Sequence, residues 1–207
     1  GCRLNKIFNE DCRETLKRDI QYDYVITSPP DFDELHYHPI KDEKKYYKFL
    51  NEVLSELNPT NKSITIVVSN RKYQRKTIRK NVAISNLMID LGYSLLSEKI
   101  WIKTYKIDLY RYSFSYVMSF GKKGFKSKRS NGFMSDVWYH PLALKGTNFF
   151  SKDMVKRCIE NYTDVGDVVY DCFMGRGTTA DACLDLDRKY IGSETKFLLC
   201  DLFDKRH

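Results

Sequence analysis

The sequence has few of the features that mark a membrane, secreted or metal-binding protein. No apolar run approaches the roughly 20 residues that cross a bilayer, and the first residues lack the apolar core of a signal peptide. Six cysteines are scattered without a C-x-x-C pair, and four histidines lack the H-E-x-x-H spacing of a zinc protease. These absences predict reduced, mostly buried thiols, no metal, no membrane contact and a cytoplasmic or nuclear location.

Proline and glycine are also scarce, with 5 and 10 residues among 207, and no stretch of them marks a linker. We therefore expect a single domain over residues 1–207, which is long enough to bury a sizeable core. Lysine and arginine exceed aspartate and glutamate by 35 to 27, which gives a formal net charge of +8. A basic balance favours a polyanionic partner, although a merely basic surface is an equally good interpretation.

The pattern of apolar residues predicts strands that alternate with helices. Apolar runs bounded by turn residues predict strands at 25–27, 63–69, 93–103, 114–120, 167–171 and 189–193. Apolar residues at helical spacing predict helices at 42–57, 73–91, 151–161, 178–186 and 197–203. Ser151 is expected to be an N-cap, and Gly92 to follow a helix end. The alternation is typical of an α/β fold with a largely parallel sheet.

One motif lies near the C-terminus, where the strand ending at Asp171 runs into a glycine turn and a helix. Gly175 and Gly177 let the backbone approach a ligand closely because they lack a Cβ. Glu194 follows the next strand, the usual position for a carboxylate that accepts hydrogen bonds from ribose hydroxyls. A plain strand-to-helix turn is the alternative, but Glu194 favours a nucleoside cofactor.

A second motif, Ser28-Pro29-Pro30, ends the predicted strand at 25–27. Two consecutive prolines fix φ and remove two donors, so this turn is rigid. The Ser28 hydroxyl and the Pro29 carbonyl are then acceptors in a fixed arrangement, which suits an amino group with two hydrogens to hold. Such a site acts by positioning and electrostatics more than by a strong base. A purely structural Pro-Pro turn is the alternative.

Together the two segments resemble motif IV, (D/N/S)-P-P-(Y/F/W), and motif I, D-P-F-x-G-S-G-T-T, of the DNA amino-methyltransferases. The order, with the catalytic motif first and the cofactor motif last, resembles the β group of that family. Residues 9–12 are similar to its N-x-D-C segment, and residues 115–122 to its late strand, so the likeness spans nearly the whole chain. The resemblance implies a Rossmann-like class I methyltransferase fold, with a mostly parallel sheet and helices on both faces, and S-adenosylmethionine as cofactor.

The resemblance also implies roles for individual residues. The catalytic set is Ser28, Pro29, Pro30, Asp31 and Phe32. The cofactor-binding set is Asp11, Cys12, Phe149, Phe150, Asp171, Phe173, Gly175, Gly177, Thr178, Thr179 and Glu194. The implied reaction is methylation of an exocyclic amino group of a DNA base, which must first leave the duplex. Serine at the first motif IV position favours N4 of cytosine, and N6 of adenine stays the alternative.

Two positions depart from the family pattern. Asp31 stands where an aromatic residue normally stacks on the flipped base, and the adjacent Phe32 is expected to replace it. Arg176 stands where motif I usually carries serine. These departures leave a catalytically silent nucleic-acid-binding relative open. An amino-methyltransferase acting on RNA is a further alternative, which the motif order disfavours.

Two groups of cations are candidate phosphate contacts. Arg75, Lys76 and Arg79 share one face of the predicted helix at 73–91. A loop carries the second group, which interleaves with phenylalanines and consists of Lys122, Lys123, Lys126, Lys128 and Arg129. The interval 121–139 is the candidate target-recognition insert, and it is short. A short DNA site, a contribution from the 31–45 loop, a specificity partner or a homodimer would each account for that length.

Overall fold

Strands and helices alternate along the chain in the computed structural model, as predicted. The structure describes residues 4–126, 128, 135–142 and 150–207. The strands are β1 (Lys6–Phe8), β2 (Tyr24–Thr27), β3 (Ser63–Val68), β4 (Arg71–Tyr73), β5 (Lys76–Ile78), β6 (Ser94–Ile102), β7 (Phe114–Gly121), β8 (Val137–Tyr139), β9 (Val168–Asp171) and β10 (Lys189–Ser193). The helices are α1 (Cys12–Thr15), α2 (Glu43–Leu54), α3 (Lys80–Asp90), α4 (Lys152–Tyr162), α5 (Thr178–Asp185) and α6 (Phe197–Arg206). A 3-10 turn spans Asp33–Leu35.

Eight strands form one sheet in the order β1-β10-β9-β2-β3-β7-β6-β8, and β4 pairs with β5 in a separate hairpin. The pairs from β1 to β3 are parallel, as is β6 with β8, whereas β7 runs antiparallel to both of its neighbours. This is the mostly parallel sheet expected of the Rossmann-like fold, and that prediction is confirmed.

Helices cover both faces of the sheet, because successive side chains of a strand point to opposite sides. On one face, Val25 and Ile64 pack with the buried residues of α2 and α3. On the other face, Ile26 and Val67 pack with those of α4 and α5. A strand buried on both faces is apolar throughout, which is why β2 and β3 are continuous apolar runs rather than alternating patterns.

The predicted helix at 73–91 is wrong over its first third. Its N-terminal part is the β4–β5 hairpin, which turns at Gln74 and Arg75, both with positive φ (46° and 62°). Because neither residue is glycine or asparagine, the sequence carries no hairpin-turn signal. The helix itself is α3, which ends before Gly92 with its φ of 93° as expected. Ser151 caps α4 by accepting a hydrogen bond from the Met154 N–H.

The structure also bears on membrane spans, metal-binding groups and cysteines. Across the described ranges, no helix is both long and apolar enough to traverse a bilayer. In the same ranges, no three histidine, cysteine or acidic side chains gather where they could hold a metal ion. The described cysteines are free and buried, as predicted; they are Cys12, Cys158, Cys172, Cys183 and Cys200.

Candidate active site

The two motifs follow neighbouring strands of the sheet. β2 and β9 are paired in parallel, with Val25 opposite Tyr170, so the turns that follow them leave the same edge. The chain packs α2 on one face after β2 and α5 on the opposite face after β9, which opens a crevice between the strands. One cleft at this edge is lined by both Ser28-Pro29-Pro30 and Gly175.

Asp171, the last residue of β9, braces these two turns. Its carboxylate accepts hydrogen bonds from Thr27 Oγ1 (2.6 Å), Thr179 Oγ1 (2.7 Å) and the Phe173 N–H (3.0 Å). Thr27 immediately precedes Ser28, so one carboxylate ties the catalytic turn to the cofactor turn. Burial raises the pKa of Asp171 to about 6. Asp171 and Thr179 are fully buried and do not line the cleft, so the structure gives them a supporting role rather than the predicted contact with the cofactor.

The catalytic turn presents open acceptors to the cleft. The Pro30 carbonyl is occupied, since the Tyr46 hydroxyl donates a 2.8 Å hydrogen bond to it. Within the described part of the chain, neither Ser28 Oγ nor the Pro29 carbonyl accepts a hydrogen bond, and both residues line the cleft. The two acceptors singled out from the sequence are therefore available to a ligand.

Asp31 is the centre of an ion-pair cluster rather than part of a stacking surface. Its carboxylate accepts hydrogen bonds from Arg71 (3.0 Å) and Lys80 (3.2 Å), and Arg71 also pairs with Asp33 (2.8 Å). Burial raises the pKa of Asp31, but Lys80, the hydrogen bond from the Phe32 N–H and Arg71 together outweigh burial and hold that pKa below its usual value. Lys80 itself is only 5% exposed, at the start of α3.

The prediction that Phe32 replaces the missing aromatic is wrong. Phe32 is fully buried and stacks on Tyr46 with 4.1 Å between ring centroids, so it faces the core beneath α2 and not the cleft. The reason is its position: Phe32 precedes the 3-10 turn, and the N–H groups of Leu35 within that turn and of Tyr37 just after it donate to the Phe32 carbonyl and set the backbone direction. Aromatic identity in the sequence gave no sign of this inward orientation.

The cofactor half of the cleft is built around Glu194. Its carboxylate accepts hydrogen bonds from the N–H groups of Gly175 (3.0 Å) and Lys196 (2.9 Å), which hold it at the mouth of the glycine turn. Gly175 has a φ of 56°, and a Cβ at this position would meet no protein atom within 4 Å, so it would project into open space. Further predicted cofactor residues that line the cleft are Cys12, Phe150, Phe173 and Thr178. Phe149 lies outside the described residues.

Gly177 is required for packing rather than for ligand approach. It is the N-cap of α5, with a φ of 88°, and a Cβ there would lie 2.3 Å from the Phe203 ring of α6. Gly177 does not line the cleft. The expectation that its missing Cβ makes room for the cofactor is therefore corrected: it makes room for α6.

Asp11 lines the cleft through a side-chain network that the sequence did not indicate. It caps α1, and the guanidinium of Arg13 donates hydrogen bonds to both of its carboxylate oxygens. These bonds hold the pKa of Asp11 below its usual value. Arg13 also pairs with Glu52 (2.9 Å) and lies over the Phe49 ring at 5.0 Å. Phe49 in turn lies 6.1 Å from Phe173, so rings and carboxylates flank this end of the cleft.

This donor and acceptor set fits S-adenosylmethionine. Glu194 and Asp11 place carboxylates in the cleft that would accept hydrogen bonds from ribose hydroxyls and an adenine amino group, Phe173 offers an apolar wall, and the turn at Gly175 leaves space beside them. The arrangement is that of a nucleoside site at the carboxyl edge of a parallel sheet.

Comparison with known proteins agrees with this geometry. The family model described as DNA methylase, covering N6 and N4 methyltransferases, matches residues 22–205. The chain belongs to this family. The predicted cofactor of the family, S-adenosylmethionine, is thereby confirmed.

Individual relatives give the scale of the similarity. The Type II methyltransferase M.BamHI of Bacillus amyloliquefaciens is 26% identical over 92% of this chain, which spans 54% of the length of M.BamHI. TTHA0409 of Thermus thermophilus, a putative DNA modification methylase solved with S-adenosyl-L-methionine, has a TM-score of 0.81 at 23% identity and covers 98% of this chain and 92% of its own. PvuII DNA methyltransferase (cytosine-N4-specific) has a TM-score of 0.83 at 17% identity, and the match covers 97% of this chain and 85% of the PvuII chain.

The first group of predicted phosphate contacts, Arg75, Lys76 and Arg79, does not lie on one face of a helix. Arg75 and Lys76 lie at the tip of the β4–β5 hairpin, and Arg79 precedes α3. All three are exposed, and the hairpin leaves the cleft edge of the sheet, because it follows the carboxyl end of β3. They remain candidates for phosphate contact on a different scaffold from the predicted one.

The second group of predicted phosphate contacts lies at the edge of the sheet opposite the cleft. β7 runs antiparallel to β3 and pairs Gly121 with Ser63, so the segment after it starts at the amino ends of the parallel strands. Lys122 lies over the Tyr93 ring and Lys128 pairs with Asp164 (2.7 Å), while Lys123 and Lys126 are exposed. The length of β7, about 24 Å at about 3.4 Å per residue, separates them from the cleft. Arg129 lies outside the described residues, as does much of the 121–139 interval.

One cleft residue that sequence reasoning missed is Lys103. It follows β6, lines the cleft and donates a 3.1 Å hydrogen bond to Ser69 Oγ. Burial, together with the neighbouring Lys80 and Arg111, lowers the pKa of Lys103 to about 8. No local pattern distinguishes this lysine from the many others in the sequence, because its burial depends on the packing of β6 against β7.

Proposed function

We propose that this chain transfers a methyl group from S-adenosylmethionine to the exocyclic amino group of a DNA base, and that the acceptor is N4 of cytosine. The observation that supports this most directly is the catalytic turn. Ser28 Oγ and the Pro29 carbonyl are open to the cleft, whereas the next carbonyl, that of Pro30, is already bonded to Tyr46.

On the substrate side, an amino group has two hydrogens and the turn offers two acceptors. Hydrogen bonds from the amino group to Ser28 Oγ and the Pro29 carbonyl would leave the nitrogen lone pair free to face the neighbouring glycine turn. The rigid prolines, the Tyr46 bond to Pro30 and the Thr27–Asp171 bond fix these acceptors before the base arrives. Such preorganisation lowers the barrier because no group must reorient during the reaction.

On the cofactor side, Glu194 and Asp11 would hold the ribose and the adenine, with Phe173 and Phe150 along the walls and Thr178 at the start of α5. When bound there, S-adenosylmethionine supplies an electrophilic methyl group. Asp171 would hold the catalytic turn and the glycine turn at a fixed distance, because it accepts hydrogen bonds from Thr27 and Thr179.

The choice of cytosine rests on Ser28, since serine at this motif position resembles the N4-cytosine enzymes. The relative PvuII methyltransferase, whose fold is shared, is named cytosine-N4-specific. N6 of adenine is the second candidate, because its amino group would present the same two hydrogens to the turn.

The test is to incubate the chain with isotopically labelled S-adenosylmethionine and unmethylated DNA, and then to digest the DNA and identify the labelled nucleoside by mass spectrometry. We expect N4-methylcytosine. Ser28→Ala should lower the rate by roughly 100-fold, the effect typical of removing one preorganised hydrogen-bonding group. Ser55→Ala, a matched change at the exposed end of α2, should leave the rate unchanged.

Each other outcome has a defined meaning. Labelled N6-methyladenine would replace the cytosine assignment but keep the catalytic one. Full activity of Ser28→Ala would disprove the role of the turn. Label in RNA and not in DNA would overturn the DNA substrate, and cofactor binding without label in either nucleic acid would favour a catalytically silent relative.

A further inference from the structure

An exposed apolar loop stands at the rim of the cleft. The loop over residues 104–112 joins β6 to β7 at the carboxyl edge of the sheet, and part of it lines the cleft. Four large apolar or aromatic side chains of this loop face solvent: Tyr105 (73% exposed), Ile107 (96%), Leu109 (79%) and Tyr110 (78%). Exposed apolar side chains scattered singly are ordinary, but four within six residues form a patch that suggests a partner.

The loop is held in shape by its neighbours. The Lys103 N–H donates to the Ser113 carbonyl (2.8 Å) and closes the base of the loop. Lys72 of the β4–β5 hairpin donates to the Asp108 carbonyl (3.2 Å), and Thr77 of the same hairpin bonds to the Tyr112 hydroxyl (2.8 Å). Loop and hairpin thus form one continuous surface, from which Ile107 projects.

Cations surround the apolar side chains. Lys72, Lys106 and Arg111 line the same cleft as Ile107 and Tyr110. The loop's carboxylate, Asp108, accepts hydrogen bonds from the N–H groups of Tyr110 and Arg111 and so serves the loop's own backbone. An apolar tip flanked by positive charge matches duplex DNA, which offers phosphates on its outside and a base stack within.

We propose that the 104–112 loop is the wedge that enters the duplex, with Ile107 occupying the space that the extruded base leaves. This inference rests on the proposed function, because a base must leave the stack to reach Ser28 and Pro29. Apolar side chains inserted at a base step support partly unstacked DNA in other proteins. The wedge would act on opening of the duplex and not on the methyl transfer itself.

The experiment compares methylation of native DNA with methylation of the same DNA after heat denaturation. Ile107→Ala should reduce the rate on native DNA by at least about tenfold, because unstacking is then unsupported, and should change the rate on denatured DNA by less than about twofold. Ile89→Ala is the matched control: it is also exposed (51%) but lies near the end of α3, at the opposite edge of the sheet. We expect it to leave both rates unchanged.

Three results would overturn the wedge. Equal losses on native and denatured DNA would mean that Ile107 serves general binding or catalysis. Unchanged rates on both would mean that the loop has no part in opening. A wild-type dimer that dissociates on Ile107→Ala in sedimentation would mean that the patch joins two copies of the chain. Absence of wild-type activity on either DNA would instead refute the proposed function.

Discussion

Asp31 is the residue at which the catalytic turn of this chain differs from the family motif. An aromatic residue is expected at this position, but here a carboxylate pairs with the buried Lys80 and the half-buried Arg71. Lys80 lies 49 residues further along the chain, so the sequence offers no reason to connect the two. Once the pair is formed, Asp31 is coupled to the packing of α3 and not only to the substrate.

We expect Asp31→Tyr, which restores the family aromatic, to destabilise the fold by about 3–5 kcal/mol, because it leaves the Lys80 charge buried without its carboxylate. The double variant Asp31→Tyr/Lys80→Met should recover most of that loss. Asp33→Asn, which removes the largely exposed partner of Arg71, should cost about 1 kcal/mol or less. Urea unfolding at pH 7 measures all three, and an Asp31→Tyr variant as stable as wild type would contradict the coupling of Asp31 to Lys80.

Lys103, in contrast to the Asp31–Lys80 pair, lowers the stability of the folded state. Its pKa is lowered from 10.5 to about 8, so folding disfavours its charged form. We expect Lys103→Met to raise the free energy of unfolding by about 3–4 kcal/mol at pH 7, since each unit by which the pKa is lowered corresponds to about 1.4 kcal/mol. Affinity for DNA should fall at the same time, because a cation is removed from the cleft.

The pH dependence of that gain follows from the sign of the shift. Below about pH 8 the lysine is charged in both states, and the full penalty is present in the wild type. From about pH 8 to 10.5 the folded state has released the proton that the unfolded state still holds, so wild-type stability rises towards that of the variant. Urea unfolding at pH 7 and pH 10 checks this. A variant less stable than wild type at pH 7 would show that Lys103 has a structural role.

At the scale of elements, the glycine turn combines two requirements that look alike in sequence. Gly175 borders the cleft, whereas Gly177 allows α6 to pack against the start of α5. The hairpin of β4 and β5 is a similar case: its lysines and arginines have helical spacing, but its turn residues adopt positive φ. The sequence predicts helices and strands well where the apolar pattern extends over many residues. It predicts them poorly where the conformation of a few turn residues decides between helix and hairpin.

Gly177→Ala and Gly166→Ala form a matched pair for this packing. Both glycines have a φ of 88°, so both variants carry the same backbone strain, about 1–2 kcal/mol. A Cβ at Gly166 meets nothing within 4 Å, whereas one at Gly177 meets the Phe203 ring. We therefore expect Gly177→Ala to be less stable than Gly166→Ala by a further 1–3 kcal/mol or so in chemical unfolding. Equal losses would show that the ring moves aside freely.

At the scale of the whole molecule, the active site joins distant parts of the chain. Asp11 and Ser28 come from the first 30 residues, while Gly175 and Glu194 come from the last 40 or so, and Asp171 links the halves through Thr27. A ligand that contacts both halves stabilises the folded state by mass action, because the unfolded chain does not bind it.

We expect S-adenosylmethionine at about 100 times its Kd to add about 2.7 kcal/mol to folding, which for a chain of this size raises Tm by roughly 5–10 °C. Glu194→Gln should weaken binding and shrink that rise at the same cofactor concentration. Glu98→Gln, an exposed substitution on β6, should keep it. Thermal unfolding with and without cofactor makes the comparison, and an unchanged rise in Glu194→Gln would remove Glu194 from the cofactor site.

The sequence by itself determined the alternation of strands and helices, the two turns and the family, because these depend on apolar periodicity and on prolines and glycines that act locally. It also implied that the two turns meet, since parallel strands end at a common edge. Only the tertiary structure decided that Asp31 pairs with Lys80, that Phe32 faces the core and that Lys122 and its neighbours lie at the far edge. Those outcomes depend on which strand runs antiparallel and which helix covers which face, and such long-range packing leaves no mark on neighbouring residues.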